Sequence, residues 1–136
     1  MSVALIRQAL EIALAAMASP LPTSVQNFPF NQTTGTPYQK AELLPAAPDN
    51  LIAGRSTYFE RGIFQVSLYY PNGAGMGAQE ARAEAVQTAF RRGSTFSKGG
   101  VNVNITMTPK IAQGFRSEDF WCVPISITYQ SQIATP

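Results

Sequence analysis

Histidine is absent from this chain of 136 residues, and cysteine occurs once, at Cys122. Without imidazole, the chain lacks the side chain that most often moves protons near neutral pH, along with histidine-dependent triads and most zinc sites. A single cysteine cannot form an internal disulfide. Cys122 stands between Trp121 and Val123 in an alternating stretch, which favours a partly buried structural thiol over a nucleophile. We therefore predict no catalytic residue and no metal site.

Charged residues are also scarce, at 13% of the chain, and the net charge is +2. The net positive charge is too small, and the charged residues are too evenly spread, to indicate a surface that binds nucleic acid or a membrane. Long hydrophobic runs are missing as well, because Arg7, Gln8 and Glu11 interrupt the apolar N-terminal segment. The interruptions exclude a membrane span and argue against a secretion signal. The hydrophobic content of 45% fits one globular domain over residues 1–136.

Two segments have the apolar spacing of amphipathic helices. Residues 3–17 form so wide an apolar stripe that a sheet or another subunit is expected to cover it. Residues 78–92 predict a second helix, with Gly93 as its C-terminal cap. The face of this helix that we predict to be buried comprises Ala78, Ala81, Ala85, Val86, Ala89 and Phe90.

Strict alternation of apolar and polar residues predicts strands over residues 63–70, 101–108 and 121–130. Residues 25–28 and 38–44 are two shorter candidates. The predicted fold is α+β, with one mixed, mostly antiparallel sheet and two helices packed on one face. Pro124 lies within the last strand, and because proline cannot donate to a ladder, we expect that strand to be an edge. Such an edge can either meet a neighbouring subunit or block unwanted pairing.

Prolines at four positions break the pattern between residues 29 and 54: Pro29, Pro37, Pro45 and Pro48. Long irregular connections inside a compact domain commonly serve binding. We therefore predict an extended, exposed arm over about residues 29–54. The alternative is a surface meander without a binding role.

The turn after residues 63–70 resembles a dinucleotide fingerprint, because Gly73 and Gly75 precede Ala78 at the opening of a helix. Two features argue against cofactor binding. The first strand of a dinucleotide-binding fold is covered on both faces, so it is apolar along its length. Residues 63–70 alternate between apolar and polar instead. The acidic residue expected about 20 positions later is also missing, since none occurs between Glu84 and Glu118. We predict no cofactor.

The order of several short motifs resembles the tail terminator-like minor tail proteins of long-tailed bacteriophages and prophages. In that family an RG-x-x-QV strand leads to a YP-x-G-x-G turn, and the chain closes on a W-x-VP-x-x-x-x-Y strand. The corresponding stretches here are ERGIFQV (60–66), YPNGAG (70–75) and WCVPISITY (121–129). The likeness is strongest from Arg61 to Tyr129.

The resemblance implies a virion structural protein that forms a hexameric ring on the last ring of the tail tube. Such a ring halts tube growth and offers a joining surface to the head-completion (connector) protein. Genome DNA would pass through the lumen without sequence-specific binding, and assembly would take place in the host cytoplasm. The family has no catalytic residues to carry over.

Three other functions stay open: another head-tail connector or neck protein, a free-standing prophage regulatory domain, and a nucleotide-binding enzyme using the Gly73–Gly77 turn. From the character of the chain, we predict subunit or tube contacts at nine residues: Phe30, Tyr38, Leu43, Leu44, Arg61, Arg91, Phe96, Arg116 and Pro124.

Overall fold

A computed structural model describes residues 2–17, 21–25, 35–47, 57–73 and 75–134. In chain order, its elements are α1 (Ser2–Ala15), β1 (Thr23–Val25), β2 (Tyr38–Pro45), β3 (Thr57–Pro71), α2 (Gly77–Ala89), β4 (Thr95–Lys98), β5 (Val101–Ile105), β6 (Lys110–Ile111), β7 (Phe115–Ser117) and β8 (Phe120–Ala134).

The strands form one curled sheet in the order β1-β2-β3-β8-β5-β4, and β6 and β7 add short pairings along β8. β1 pairs with β2 in parallel, whereas the other pairings are antiparallel. β3 and β8 pair along their full lengths of 15 residues. The predicted α+β class with a mixed, mostly antiparallel sheet is confirmed.

Both helices pack on one face of this sheet, which we call the helix face. The register aligns Ala41, Val66 and Ile125 across the central strands, and all three are fully buried beneath the helices. From α1, Ile6 and Leu10 enter the same core at the expected spacing of four residues. Side chains of alternate residues point to the opposite side, which we call the open face.

Helix α2 buries Val86 and Phe90 as predicted, but the rest of its buried face differs from the prediction. Its buried residues include Gln79, Ala83 and Val86, whereas Ala78, Ala81 and Ala85 are exposed. The Gln79 amide donates to the carbonyl oxygens of Leu68 and Trp121, both at 2.9 Å. These bonds rotate the helix toward its glutamine. Burial of alanine methyl groups stabilises too little to oppose the rotation.

The predicted cap at Gly93 is also wrong. Helix α2 ends at its C-cap Phe90, whose N–H donates to the Val86 carbonyl. Gly93 lies in the following turn, which is closed by a 3.0 Å bond from the Ser94 N–H to the Arg91 carbonyl. Its φ of +89° explains the glycine there, because other residues adopt that conformation at a cost.

The edge position predicted for the last strand is wrong, because β8 lies between β3 on one side and β5, β6 and β7 on the other. The Pro124 carbonyl accepts a 2.9 Å bond from the Ala112 N–H, so the Pro124 nitrogen faces the same side of the strand. On that side, the pairing along β8 is interrupted between β6 and β7. The absence of a backbone N–H at Pro124 therefore costs the sheet little stability.

Part of the predicted arm belongs to the sheet. Tyr38–Pro45 form β2, in agreement with the short strand predicted over residues 38–44. The side chains of Tyr38 and Leu43 are buried. β1 occupies Thr23–Val25, and of the predicted residues 25–28 the last three lie outside the described residues. Residues 26–34 and 48–56, which hold most of the remaining arm, lie outside the described residues.

Candidate assembly surfaces

Four of the predicted contact residues lie on the open face: Tyr38, Leu44, Arg61 and Pro124. Leu44 is 43% exposed. Arg61 is exposed, and its Nε donates to the Ala47 carbonyl at 3.0 Å, which holds the guanidinium above the sheet. Tyr38 and Pro124 are less accessible. The open face therefore combines an apolar and a cationic group in one area, beside Pro45 and Gly62.

The other predicted contact residues are scattered. Leu43 is in the core, and Phe96 is half-buried against Phe90, with ring centroids 5.2 Å apart. Their side chains therefore pack within the subunit. Arg91 and Arg116 are exposed on separate elements. Phe30 lies outside the described residues.

One end of the open face carries an aromatic cluster. The rings of Tyr38 and Tyr69 stack with centroids 4.7 Å apart, and Phe120 meets both edge-on. Beneath them, burial raises the pKa of the Cys122 thiol, as expected for an unreactive structural cysteine. Burial likewise raises the pKa of Tyr69.

Beside this cluster is a largely polar cavity of about 280 Å³. Lys40 and Glu118 line it together with the two tyrosines, Phe120, Ser24 and Ser117. The Lys40 ammonium is 3.9 Å from Glu42, so its charge is partly matched within the sheet. The cavity is therefore a polar socket at the end of β8, able to receive a hydrogen-bonding side chain.

The glycine turn before α2 borders a second cavity, of about 320 Å³. Gly73 and Gly75 both have positive φ, +83° and +81°. The cavity is lined by Pro71, Asn72, Gly73, Gly75, Met76 and Trp121, and no cationic side chain is among these described residues.

Four exposed apolar side chains that the sequence analysis did not identify lie on or near the elements around β6 and β7. Met76, Met107, Ile111 and Phe115 are 41%, 59%, 37% and 50% exposed. Met76 and Ile111 also border a shared cleft of about 140 Å³. β6 and β7 have two and three residues, too few for an alternating pattern to identify them or their outward-facing side chains.

Among the described residues, no group of three or more His, Cys, Asp or Glu side chains is placed to hold a metal ion. In the same part of the chain, no helix has both the length and the apolar character needed to span a bilayer.

Comparisons with known proteins agree with the fold. A solved structure shares 29% identity with this chain and superposes with a TM-score of 0.77, covering 98% of this chain and 97% of the other. No curated protein matches. A family model described as phage tail terminator protein matches residues 5–129, so nearly the whole chain takes part in the match. The chain therefore belongs to the phage tail terminator family, and its role is that of a structural protein of a phage tail.

Proposed function

We propose that this protein forms a hexameric ring on the last ring of the tail tube, where it ends tube polymerisation and provides the head-tail joining surface. The observation that carries the proposal is the family match over residues 5–129. Membership of a terminator family supports a role at the end of the tube in preference to a role along its length.

The shape of the subunit supports this assignment. One hydrophobic core joins both helices to the central strands, as expected if residues 1–136 act as a single rigid domain. A ring requires two different surfaces that meet between neighbouring copies. The open face around Leu44 and Arg61 and the apolar cleft bordered by Met76 and Ile111 are two surfaces of different chemistry on opposite sides of the sheet.

The partners follow from this role. In the virion, the ring contacts the tail tube protein below and the head-completion protein above, having assembled in the host cytoplasm. Genome DNA passes through the lumen. The net charge of +2 suits passage without tight binding, because affinity for phosphate rises with each cation engaged. The role requires no turnover of a substrate.

Electron microscopy of tails assembled with and without this protein tests the proposal. With the protein, tails of uniform length are expected, each ending in a ring. Without it, tubes should grow beyond that length. Uniform tails in its absence would contradict termination, and uniform tails that fail to join heads would indicate a connector role instead.

A further inference from the structure

The chain has one adjacent basic pair, Arg91–Arg92, and one adjacent acidic pair, Glu118–Asp119. All four side chains are exposed. Within the described part of the chain, none of the four forms an ion pair. Each pair is therefore available to a partner of opposite charge.

The basic pair lies on a hydrogen-bonded turn between α2 and β4. The Ser94 N–H donates to the Arg91 carbonyl at 3.0 Å, and the Gly93 N–H donates to the Ile105 carbonyl at 2.8 Å. These bonds hold the turn at the end of β5. The two guanidinium groups thus project from a fixed backbone, which lowers the entropy lost on binding.

The acidic pair lies on the turn between β7 and β8 and is also held by hydrogen bonds. The Asn72 side chain donates to the Glu118 carbonyl at 2.9 Å, and the Asn72 N–H donates to the Asp119 carbonyl at 3.1 Å. Glu118 borders the 280 Å³ polar cavity described above. Tyr38, Tyr69 and two serines line that cavity, and the hydroxyl oxygens of tyrosine and serine can accept hydrogen bonds from a guanidinium.

The two turns are at widely separated levels along β8. The basic turn is bonded to Ile105, which pairs with Tyr129, whereas the acidic turn immediately precedes Phe120. At about 3.3 Å per residue, roughly 30 Å of strand β8 separates Tyr129 from Phe120. This separation is several times the screening length of about 8 Å at physiological salt. The two charged pairs therefore cannot neutralise each other within one subunit.

We propose that the Arg91–Arg92 turn of one copy docks against the Glu118–Asp119 turn and its polar cavity on the next copy. The inference rests on the proposed ring and names one contact that closes it. Because the two surfaces differ, the contact is head-to-tail, and repetition with the right rotation gives a closed ring. Two nearby cations leave the acidic turn available. Lys40 is close to Glu42. Arg116 is opposite Trp121 in the strand register, so it lies on the other face of the sheet from Ser117.

Charge reversal at each turn tests this contact. The variants R91E/R92E and E118K/D119K, each alone, should weaken ring assembly roughly tenfold or more, because like charges would then meet. A 1:1 mixture of the two variants should restore assembly, since alternating copies place opposite charges at every contact of an even-numbered ring. The readouts are native mass spectrometry and electron microscopy of rings on tail tubes.

The matched control is K98E/K110E, which changes the net charge as R91E/R92E does at two other exposed positions. It should form rings as the wild type does. Circular dichroism checks folding, and the single variants R92E and D119K replace any double variant that does not fold.

The outcomes separate this contact from the proposed function. Wild-type rings that both reversals leave unchanged, or folded variants whose mixture does not recover assembly, would overturn the contact and leave the terminator role standing. A wild-type protein that forms no ring on tail tubes would instead contradict the proposed function itself.

Discussion

Gly62 shows how one residue keeps two neighbouring strands close together. It pairs with Pro45 on β2 and with Tyr129 on β8. A Cβ at this position would collide with the Leu44 carbonyl oxygen and would lie 2.8 Å from the Tyr129 hydroxyl. Both neighbours are held by the sheet, so neither can move away cheaply.

We expect Gly62→Ala to lower the free energy of unfolding by about 1–3 kcal/mol, the usual cost of overpacking. Urea denaturation measures the change. Gly77→Ala is the matched control, because a Cβ there meets nothing within 4 Å and alanine favours the helix that begins at this residue. Equal losses in the two variants would show that the close approach at Gly62 is unimportant.

Tyr129 is 1% exposed, and burial, reinforced by Glu60, raises its pKa to about 12. The folded state therefore holds the phenol proton more tightly than the unfolded state, whose tyrosines titrate near a pKa of about 10. The contribution to stability is complete below pH 10 and is lost as the pH rises toward 12.

The predicted consequence is a stability that falls with alkaline pH by about 1.4 kcal/mol per pH unit for this one proton. Urea denaturation of the wild type and Tyr129→Phe at pH 9 and pH 11 measures it. Other groups titrate in both proteins, so the informative quantity is the difference between them. Parallel pH dependences would exclude Tyr129 as the source.

At the scale of elements, two glutamines of α2 connect the helix to the rest of the fold. Gln79 is buried and donates two bonds of 2.9 Å to sheet carbonyls, whereas Gln87 donates one bond of 2.9 Å to the Pro109 carbonyl. Replacing Gln79 removes two bonds at a buried site, which costs more than losing one partly exposed bond.

Gln79→Ala is therefore expected to lower the free energy of unfolding by about 1–3 kcal/mol, and Gln87→Ala by about 0.5–1.5 kcal/mol. Chemical denaturation of the two variants gives the comparison, and both lose the same side chain from the same helix. A larger loss for Gln87→Ala would mean that packing, and not the Gln79 bonds, sets the rotation of α2.

At the scale of the whole molecule, the proposed ring contact joins exposed charges, so salt should weaken it. The screening length falls from about 10 Å at 0.1 M to about 3 Å at 1 M ionic strength. We expect ring assembly on tail tubes to decline over this range, as measured by sedimentation, while the urea midpoint of the subunit changes little. Rings indifferent to salt would point instead to the apolar cleft bordered by Met76 and Ile111.

The sequence by itself determined the fold class and most of the elements. The alternation in β3, β5 and β8 and the apolar spacing of α1 are local patterns, set by the geometry of a strand or a helix over a few residues. The lack of histidine and of long charged runs likewise restricted the classes of function. The ordered motifs between Arg61 and Tyr129 indicated the family.

Only the tertiary structure decided that β8 is internal, that α2 buries Gln79 while three of its alanines are exposed, and that the two charged turns are far apart along one strand. These features depend on pairings between residues far apart in the chain, such as Gly62 with Tyr129. Strand order and helix rotation are set by the packing and hydrogen bonds that such pairings bring together, and no window of neighbouring residues contains that information.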